Sequence, residues 1–260
     1  MSLYYICTMG RNISSSINLG RWTLDEFEEM IAKAAQIQST GRRVEYISRQ
    51  FLGVSYRGKT LIGDDKTPER FVVDLSGVDC FTFIDYVEAL CFADSFLSFQ
   101  ESLICTRYRS GIVTFDHRNH FFTDWIVANR TYIEEVTKKV GGRYTMFSKK
   151  ILNLKENGAF YVPCIKPVER TIDYIPAKSI ENIVLKNCRT GDYIGIYADN
   201  PGLDVTHVGI FVRKKSTPHF RHASPVQGKV IDQEFEGYMV DKPGFLVLRP
   251  RRVQTTSRKE

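Results

Sequence analysis

The 260-residue sequence predicts an α+β fold, helices first and an antiparallel sheet last, on three observations. Apolar residues recur at helical spacing through the first half, and short β-prone runs separated by turn residues fill the last third. No repeat, low-complexity block or Pro/Gly/Ser-rich linker separates the two halves, so one domain over 1–260 is expected, with long insertions at about 56–79 and 111–180.

The first helix is predicted to start after Thr23. Thr23 and Glu26 have capping-box spacing ahead of Leu24, Phe27, Met30, Ile31, Ala34 and Ile37, an amphipathic pattern that runs to near Gly41. A second short helix is expected over Arg43 to Phe51, followed by the turn-rich stretch Gly53 to Pro68. Residues 79–109 contain neither Gly nor Pro, and Phe83, Ile84, Val87, Leu90 and Cys91 recur at helical spacing behind the turn Ser76-Gly77. A helix apolar nearly all round belongs at the centre of the molecule. After Gly111 come an aromatic, histidine-containing segment, His117 to Trp125, and a polar helix predicted over Ile126 to Val140; residues 141–180 carry weak signals. Strands are expected at Tyr193 to Tyr197, Val205 to Val212, Lys229 to Ile231 and Phe245 to Leu248, with a turn at Asp199-Asn200-Pro201-Gly202.

Composition narrows the class. With 43% hydrophobic and 12% aromatic residues the chain can bury a large core. Lys plus Arg number 36 against 30 Asp plus Glu, a formal charge of +6, which permits an anionic substrate without requiring one. Part of that charge sits in a tail read as a solvated end, Arg249, Arg251, Arg252, Arg258 and Lys259. No nucleic-acid partner is expected. No run of 18 apolar residues is present, so no membrane span is predicted, and Met1 to Leu19 mixes Arg11, Asn12 and Ser14-Ser15-Ser16 with its apolar residues, unlike a signal peptide. The six cysteines have wide, irregular spacings with no C-x-x-C pair, which argues against a zinc ribbon or a dense disulfide framework. Cys7, Cys91, Cys105, Cys164 and Cys188 are expected to be core residues.

Cys80 differs in position. It opens the long apolar helix in Gly77-Val78-Asp79-Cys80-Phe81-Thr82-Phe83. Unpaired N–H groups at a helix start favour negative charge, so a thiolate is expected to be stabilised there, and a backbone N–H beside the sulfur can bond an oxyanion. A buried structural thiol is the alternative. His207 lies in Val205-Thr206-His207-Val208-Gly209-Ile210-Phe211, where strand alternation places it on one face with Gly209, which leaves room beside the imidazole. A satisfied strand histidine is the alternative there. His222, in His222-Ala223-Ser224, is expected on the next strand. If it bonds the far nitrogen of His207, a nucleophile, a base and an orienting group are complete.

Asp79-Cys80 opening a helix, His207-Val208-Gly209-Ile210-Phe211 on a strand and His222-Ala223-Ser224 after it together resemble the NlpC-type papain-like cell-wall cysteine hydrolases. Within them, Asp79-Cys80-Phe81-Thr82-Phe83 and His120-Phe121-Phe122-Thr123-Asp124-Trp125-Ile126 resemble the N-acetylmuramoyl-L-alanine amidase-like subgroup. The resemblance runs from about Gly53 onward and weakens over residues 141–200. It implies a papain-like fold, with the nucleophile at the N-terminus of a central helix packed on an antiparallel C-terminal sheet or half-barrel. It also implies a cysteine amidase that cuts between N-acetylmuramic acid, in its ordinary or anhydro form, and the L-alanine of peptidoglycan fragments. Carried over residue by residue, Cys80 is the nucleophile, His207 the base and His222 the orienting group. Tyr56, in Gly53-Val54-Ser55-Tyr56-Arg57, takes the place of an oxyanion tyrosine, with Tyr46 nearby as its rival. No cofactor is needed, a monomer working on muropeptides is expected, and the resemblance places it in the bacterial cell envelope, the periplasm above all.

His120, Asp124 and Trp125 are candidate substrate-binding residues, with Trp125 able to stack on a sugar and packing as the alternative. His117 and His120, near Asp116 and Asp124, have spacing that permits metal ligation, but no firm third partner appears and no metal is assigned. Arg107 and Arg109 are candidates for binding substrate carboxylates, or are solvated helix residues. Three other readings stand beside the amidase: a γ-D-glutamyl-diamino-acid endopeptidase using the same residues, an acyltransferase, and a non-catalytic cell-wall binding module in which Cys80 is a core thiol.

Overall fold

The computed structural model describes residues 15–180 and 182–251. Cys7 and the tail residues Arg252, Arg258 and Lys259 lie outside the described residues. After β1 (Ser15–Asn18), α1 (Leu24–Ala35) starts at the expected cap: the Thr23 hydroxyl accepts the Glu26 N–H at 3.2 Å, and the Glu26 carboxylate accepts the Thr23 N–H at 2.8 Å. The helix stops at Ala35, short of the expected end near Gly41, and Gly41 instead sits inside α2 (Thr40–Arg49). A Cβ at Gly41 would lie 2.2 Å from the Thr190 carbonyl oxygen, so this glycine serves a close backbone approach and not a helix end.

Three short strands follow: β2 (Ser55–Tyr56), β3 (Phe71–Asp74), which pairs in parallel with β1, and β4 (Gly77–Val78), parallel to β2. The helix expected over residues 79–109 is two helices, α3 (Cys80–Phe92) and α4 (Phe96–Arg107). The break needs neither Gly nor Pro. Ala93 is extended, and Ser95 caps α4 by accepting the Ser98 N–H at 3.2 Å, while Ser98 Oγ reaches Asp94 at 2.9 Å. Every residue of α3 from Thr82 to Cys91 is buried, as its all-round apolar pattern requires.

The polar helix expected over Ile126 to Val140 is instead α5 (Phe122–Ala128), β5 (Ile133–Glu135) and α6 (Thr137–Gly141). Asn129 closes α5 by donating its side-chain amide to the carbonyls of Trp125 and Thr106, at 2.9 and 3.0 Å. Residues 141–180 hold a hairpin of β6 (Met146–Leu152) and β7 (Val168–Pro176). Only Leu152 of β6 is buried, so the strand shows no clear apolar alternation in sequence.

The rest of the chain is α7 (Asn182–Asn187), β8 (Tyr193–Tyr197), β9 (Val205–Lys214), β10 (Thr217–Ser224), β11 (Lys229–Glu234), α8 (Phe235–Met239) and β12 (Gly244–Pro250). One curled sheet runs β4-β2-β11-β10-β9-β8-β12-β7-β6, with β5 also on β12. All its pairings are antiparallel except β2–β4. Its two faces feed different cores. Val208, Ile210 and Val212 of β9 join the helical core around α3, whereas Phe211, with Ile194, Ile196 and Phe220, packs against Phe235 and Met239 of α8.

Candidate active site

Cys80 is the first residue of α3, and the way β9 and β10 separate determines what it meets. Their register runs from Thr217↔Lys214 to Arg221↔Ile210 and goes no further, so the ladder between them ends at Ile210. The Val208 N–H, without a β10 partner, and those of Cys80 and Phe81 at the helix start are near enough to the Cys80 sulfur to favour its thiolate. The thiol therefore sits against β9 at the residue next to His207.

His207 and His222 are joined directly. Their rings are perpendicular, with centroids 4.9 Å apart, and His207 Nε2 lies 2.8 Å from His222 Nδ1. That bond leaves Nδ1 as the ring nitrogen of His207 open to other chemistry. The room expected beside Gly209 is filled by Phe220: a Cβ at Gly209 would lie 2.6 Å from that ring and 2.7 Å from the Arg221 carbonyl oxygen. Phe220 stacks on His222 at 4.7 Å and meets His207 edge-on at 5.9 Å, so the glycine lets one aromatic ring brace both imidazoles.

Burial dominates the electrostatics. Desolvation, followed by the Asp79 carboxylate, pushes the Cys80 thiol from its ordinary 9.0 up to about 12, against the backbone N–H donors that favour the thiolate. The thiolate expected from the helix start is overruled, since a terminus supplies only about 0.3–1 kcal/mol near the surface. Asp79 also consumes part of that terminus, as its Oδ1 accepts the N–H groups of Phe81 and Thr82 at 3.0 and 2.7 Å. Burial, then His222 and Lys242, pulls His207 down to about 3; burial pulls His222 to about 4, opposed by Gln233 and Asp232. Thiol and imidazole both rest neutral. Tyr56 on β2 has its pKa raised by burial, Cys80 and Asp79 in that order, which places it within electrostatic range of the thiol. A second phenol, Tyr238 on α8, is pushed up to about 12 by burial and then Cys80, and its ring stands 5.1 Å from His222 and 6.4 Å from His207. Nothing in the sequence around Tyr238 or Lys242 marks them, because the chain returns to the site only after β11.

The remaining candidates divide. Trp125 is 0% exposed, donates its indole N–H to Asp85 at 3.0 Å and packs on Phe122 and Tyr193, which leaves no ring face for a sugar. Arg107, 1% exposed, gives Nε to Asp85 at 3.0 Å and Nη1 to the Val72 carbonyl at 2.7 Å, and cannot reach a substrate carboxylate. Both expectations are corrected: alternation on a helix does not reveal a buried ionic partner such as Asp85. His120 bonds the Phe115 carbonyl at 2.7 Å and is lowered to about 4 chiefly by burial. Asp124 pairs with Arg170, and together with Arg109, Asp116 and Lys166 it lines a cavity of about 330 Å³ behind β6 and β7. Among the described residues no three His, Cys, Asp or Glu side chains converge as a metal would need. Of the cysteines expected in the core, Cys91 and Cys188 are buried, Cys105 is partly so, and Cys164 is exposed.

Residues 46–245 match the model of the AmiA-like family, described as N-acetylmuramoyl-L-alanine amidase-like. No curated protein matches the chain. Among solved structures, a Legionella pneumophila protein is similar over 87% of this chain and 95% of its own, with 21% identity and a TM-score of 0.73. An N-acetylmuramoyl-L-alanine amidase of Bacteroides uniformis is similar over 82% and 99%, with 24% identity and a TM-score of 0.68. A Bacteroides fragilis protein described provisionally as a xylanase is similar over 78% and 98%, with 27% identity and a TM-score of 0.65.

Proposed function

Because the chain belongs to the AmiA-like family of N-acetylmuramoyl-L-alanine amidase-like proteins, we propose that it is a cysteine amidase with a single papain-like domain. It hydrolyses the amide between N-acetylmuramic acid, ordinary or anhydro, and the L-alanine of muropeptides in the bacterial envelope. The observation that carries this reading is the conjunction where the β9–β10 ladder ends: a thiol near the Val208 N–H, and at the preceding residue an imidazole whose Nε2 is engaged by His222 at 2.8 Å.

In the proposed reaction the neutral thiol attacks the amide carbonyl while His207 Nδ1 takes its proton. Nε2 then carries the other proton and donates to His222 Nδ1, which sets His222 as its Nε2–H tautomer. The oxyanion is held by the Cys80 N–H and the Tyr56 hydroxyl. As the C–N bond breaks, the His207 imidazolium returns its proton to the leaving amine, giving a muramyl thioester and the free peptide. Water, deprotonated by the same nitrogen, then opens the thioester and restores the thiol. Two buried neutral partners make this a concerted transfer and not the reaction of a preformed ion pair.

Mass spectrometry of digested muropeptides tests the assignment. Wild type is expected to free intact stem peptide from the sugar, and Cys80→Ala to lose turnover by at least about 10⁴-fold while remaining folded. A dipeptide left on the sugar would instead identify the endopeptidase, and undiminished cleavage by Cys80→Ala would exclude a cysteine mechanism.

A further inference from the structure

A groove between β7 and α8 lies beside the proposed catalytic pair and has charges that the cysteine chemistry leaves unused. Its volume is about 770 Å³, and Tyr174, Lys178, Asp199, Glu236 and Lys242 are among its lining residues. Tyr174 is held rigid by a parallel stack on Tyr197, with centroids 3.9 Å apart and planes 4° from parallel. Lys242 marks the end of the groove toward the site. Its Nζ stands 5.3 Å over the Tyr238 ring, whose centroid is 5.1 Å from that of His222 and 6.4 Å from that of His207, and its charge is felt at His207. Among the described residues no carboxylate pairs with Lys242, although Asp199 and Glu236 line the same groove.

The direction of the reaction identifies the occupant. His207 must protonate the departing amine, so whatever follows that amine leaves on the His207 side of the scissile bond, the side that the groove residue Lys242 approaches over the Tyr238 ring. The geometry points to the groove as the subsite of the leaving peptide, an acidic peptide whose first free carboxylate beyond the scissile amide is held by Lys242. This inference rests on the amidase reading. In a stem peptide that carboxylate is the α-carboxylate of the γ-linked glutamyl residue, which stays anionic because the chain continues through its side chain. Asp199 and Glu236 also line the groove, suited to an ammonium group borne by a later diamino acid.

The test uses two N-acetylmuramoyl peptides that differ only in whether the second residue is D-glutamate or its α-amide. Wild type should cleave the acid with kcat/KM about tenfold higher or more, the effect of one charge-assisted contact. Lys242→Met should erase that preference, and Lys242→Arg should retain it. Any influence of Lys242 on His207 acts equally on both substrates and cancels in the ratio. Calorimetric titration of the two product peptides supplies an independent arm: tighter binding of the acid form, lost in Lys242→Met. Cleavage without preference in either arm overturns the inference alone. Preferential binding without cleavage supports the subsite and overturns the amidase reading instead.

Discussion

The protonation state of Cys80 offers the sharpest test of the site's electrostatics. A thiol moved from 9.0 to about 12 carries roughly a thousandfold less thiolate near neutral pH than an unperturbed one. Only the thiolate is alkylated, so iodoacetamide should label Cys80 about a thousandfold more slowly than N-acetylcysteine amide at pH 7.5. The rate should climb about tenfold per pH unit from 7 to 10 without levelling. The assay is peptide-level mass spectrometry in a Cys164→Ser background, which removes the exposed thiol. Asp79→Asn dissects the cause. The amide oxygen can still accept from Phe81 and Thr82, so the cap is kept while the second contributor to the shift disappears. Labelling should then rise by about tenfold or more, the usual effect of removing one nearby like charge. A labelling rate that is flat between pH 5 and 8 would signal a preformed thiolate–imidazolium pair and refute the argument that burial keeps both partners neutral.

Two further predictions concern the core beneath the site. Arg107→Met strands Asp85 as a buried, uncompensated carboxylate and should cost about 3–5 kcal/mol in urea denaturation; a raised KM with unchanged stability would restore Arg107 as a substrate ligand. Glu88, 1% exposed and bonded to the Tyr193 hydroxyl at 2.6 Å, is raised by burial from 4.5 to about 7. Its folded form holds a proton that the unfolded chain releases above pH 4.5, so it destabilises the fold most above pH 7, and the deficit shrinks as pH falls from 7 to 4.5. Glu88→Gln should therefore stabilise by about 3 kcal/mol at pH 8 and by little at pH 5, as read from Tm; an equal gain at both pH values would show that the carboxylate's charge is not the cause.

Much of the architecture was legible in the residues alone, because local signals act over a few positions. The Thr23–Glu26 box starts α1, the apolar run behind Asp79 buries α3, and alternation in Val205 to Val212 makes β9. Where competing local bonds decide, the pattern misled: Asp94, Ser95 and Ser98 break a helix that contains neither Gly nor Pro, and Asn129 ends α5 where a polar helix is expected to run on to Val140. Strands with one wet face, such as β6, leave too little alternation to read.

Cys80, His207 and His222 stood out by residue type and local setting, since a helix start and a strand face are properties of short segments. Their surroundings were decided only by the tertiary structure. The β9–β10 ladder ends above Val208, whose N–H lies near the sulfur, and Gly209 admits Phe220 against two imidazoles. The late return of α8 sets Tyr238 and Lys242 beside residues far away in the chain. The same folding buries Trp125 and Arg107 around Asp85 and takes them out of reach of any substrate. Protonation belongs to this second group as well: desolvation depends on everything that surrounds a side chain, and that is assembled from the whole sequence at once.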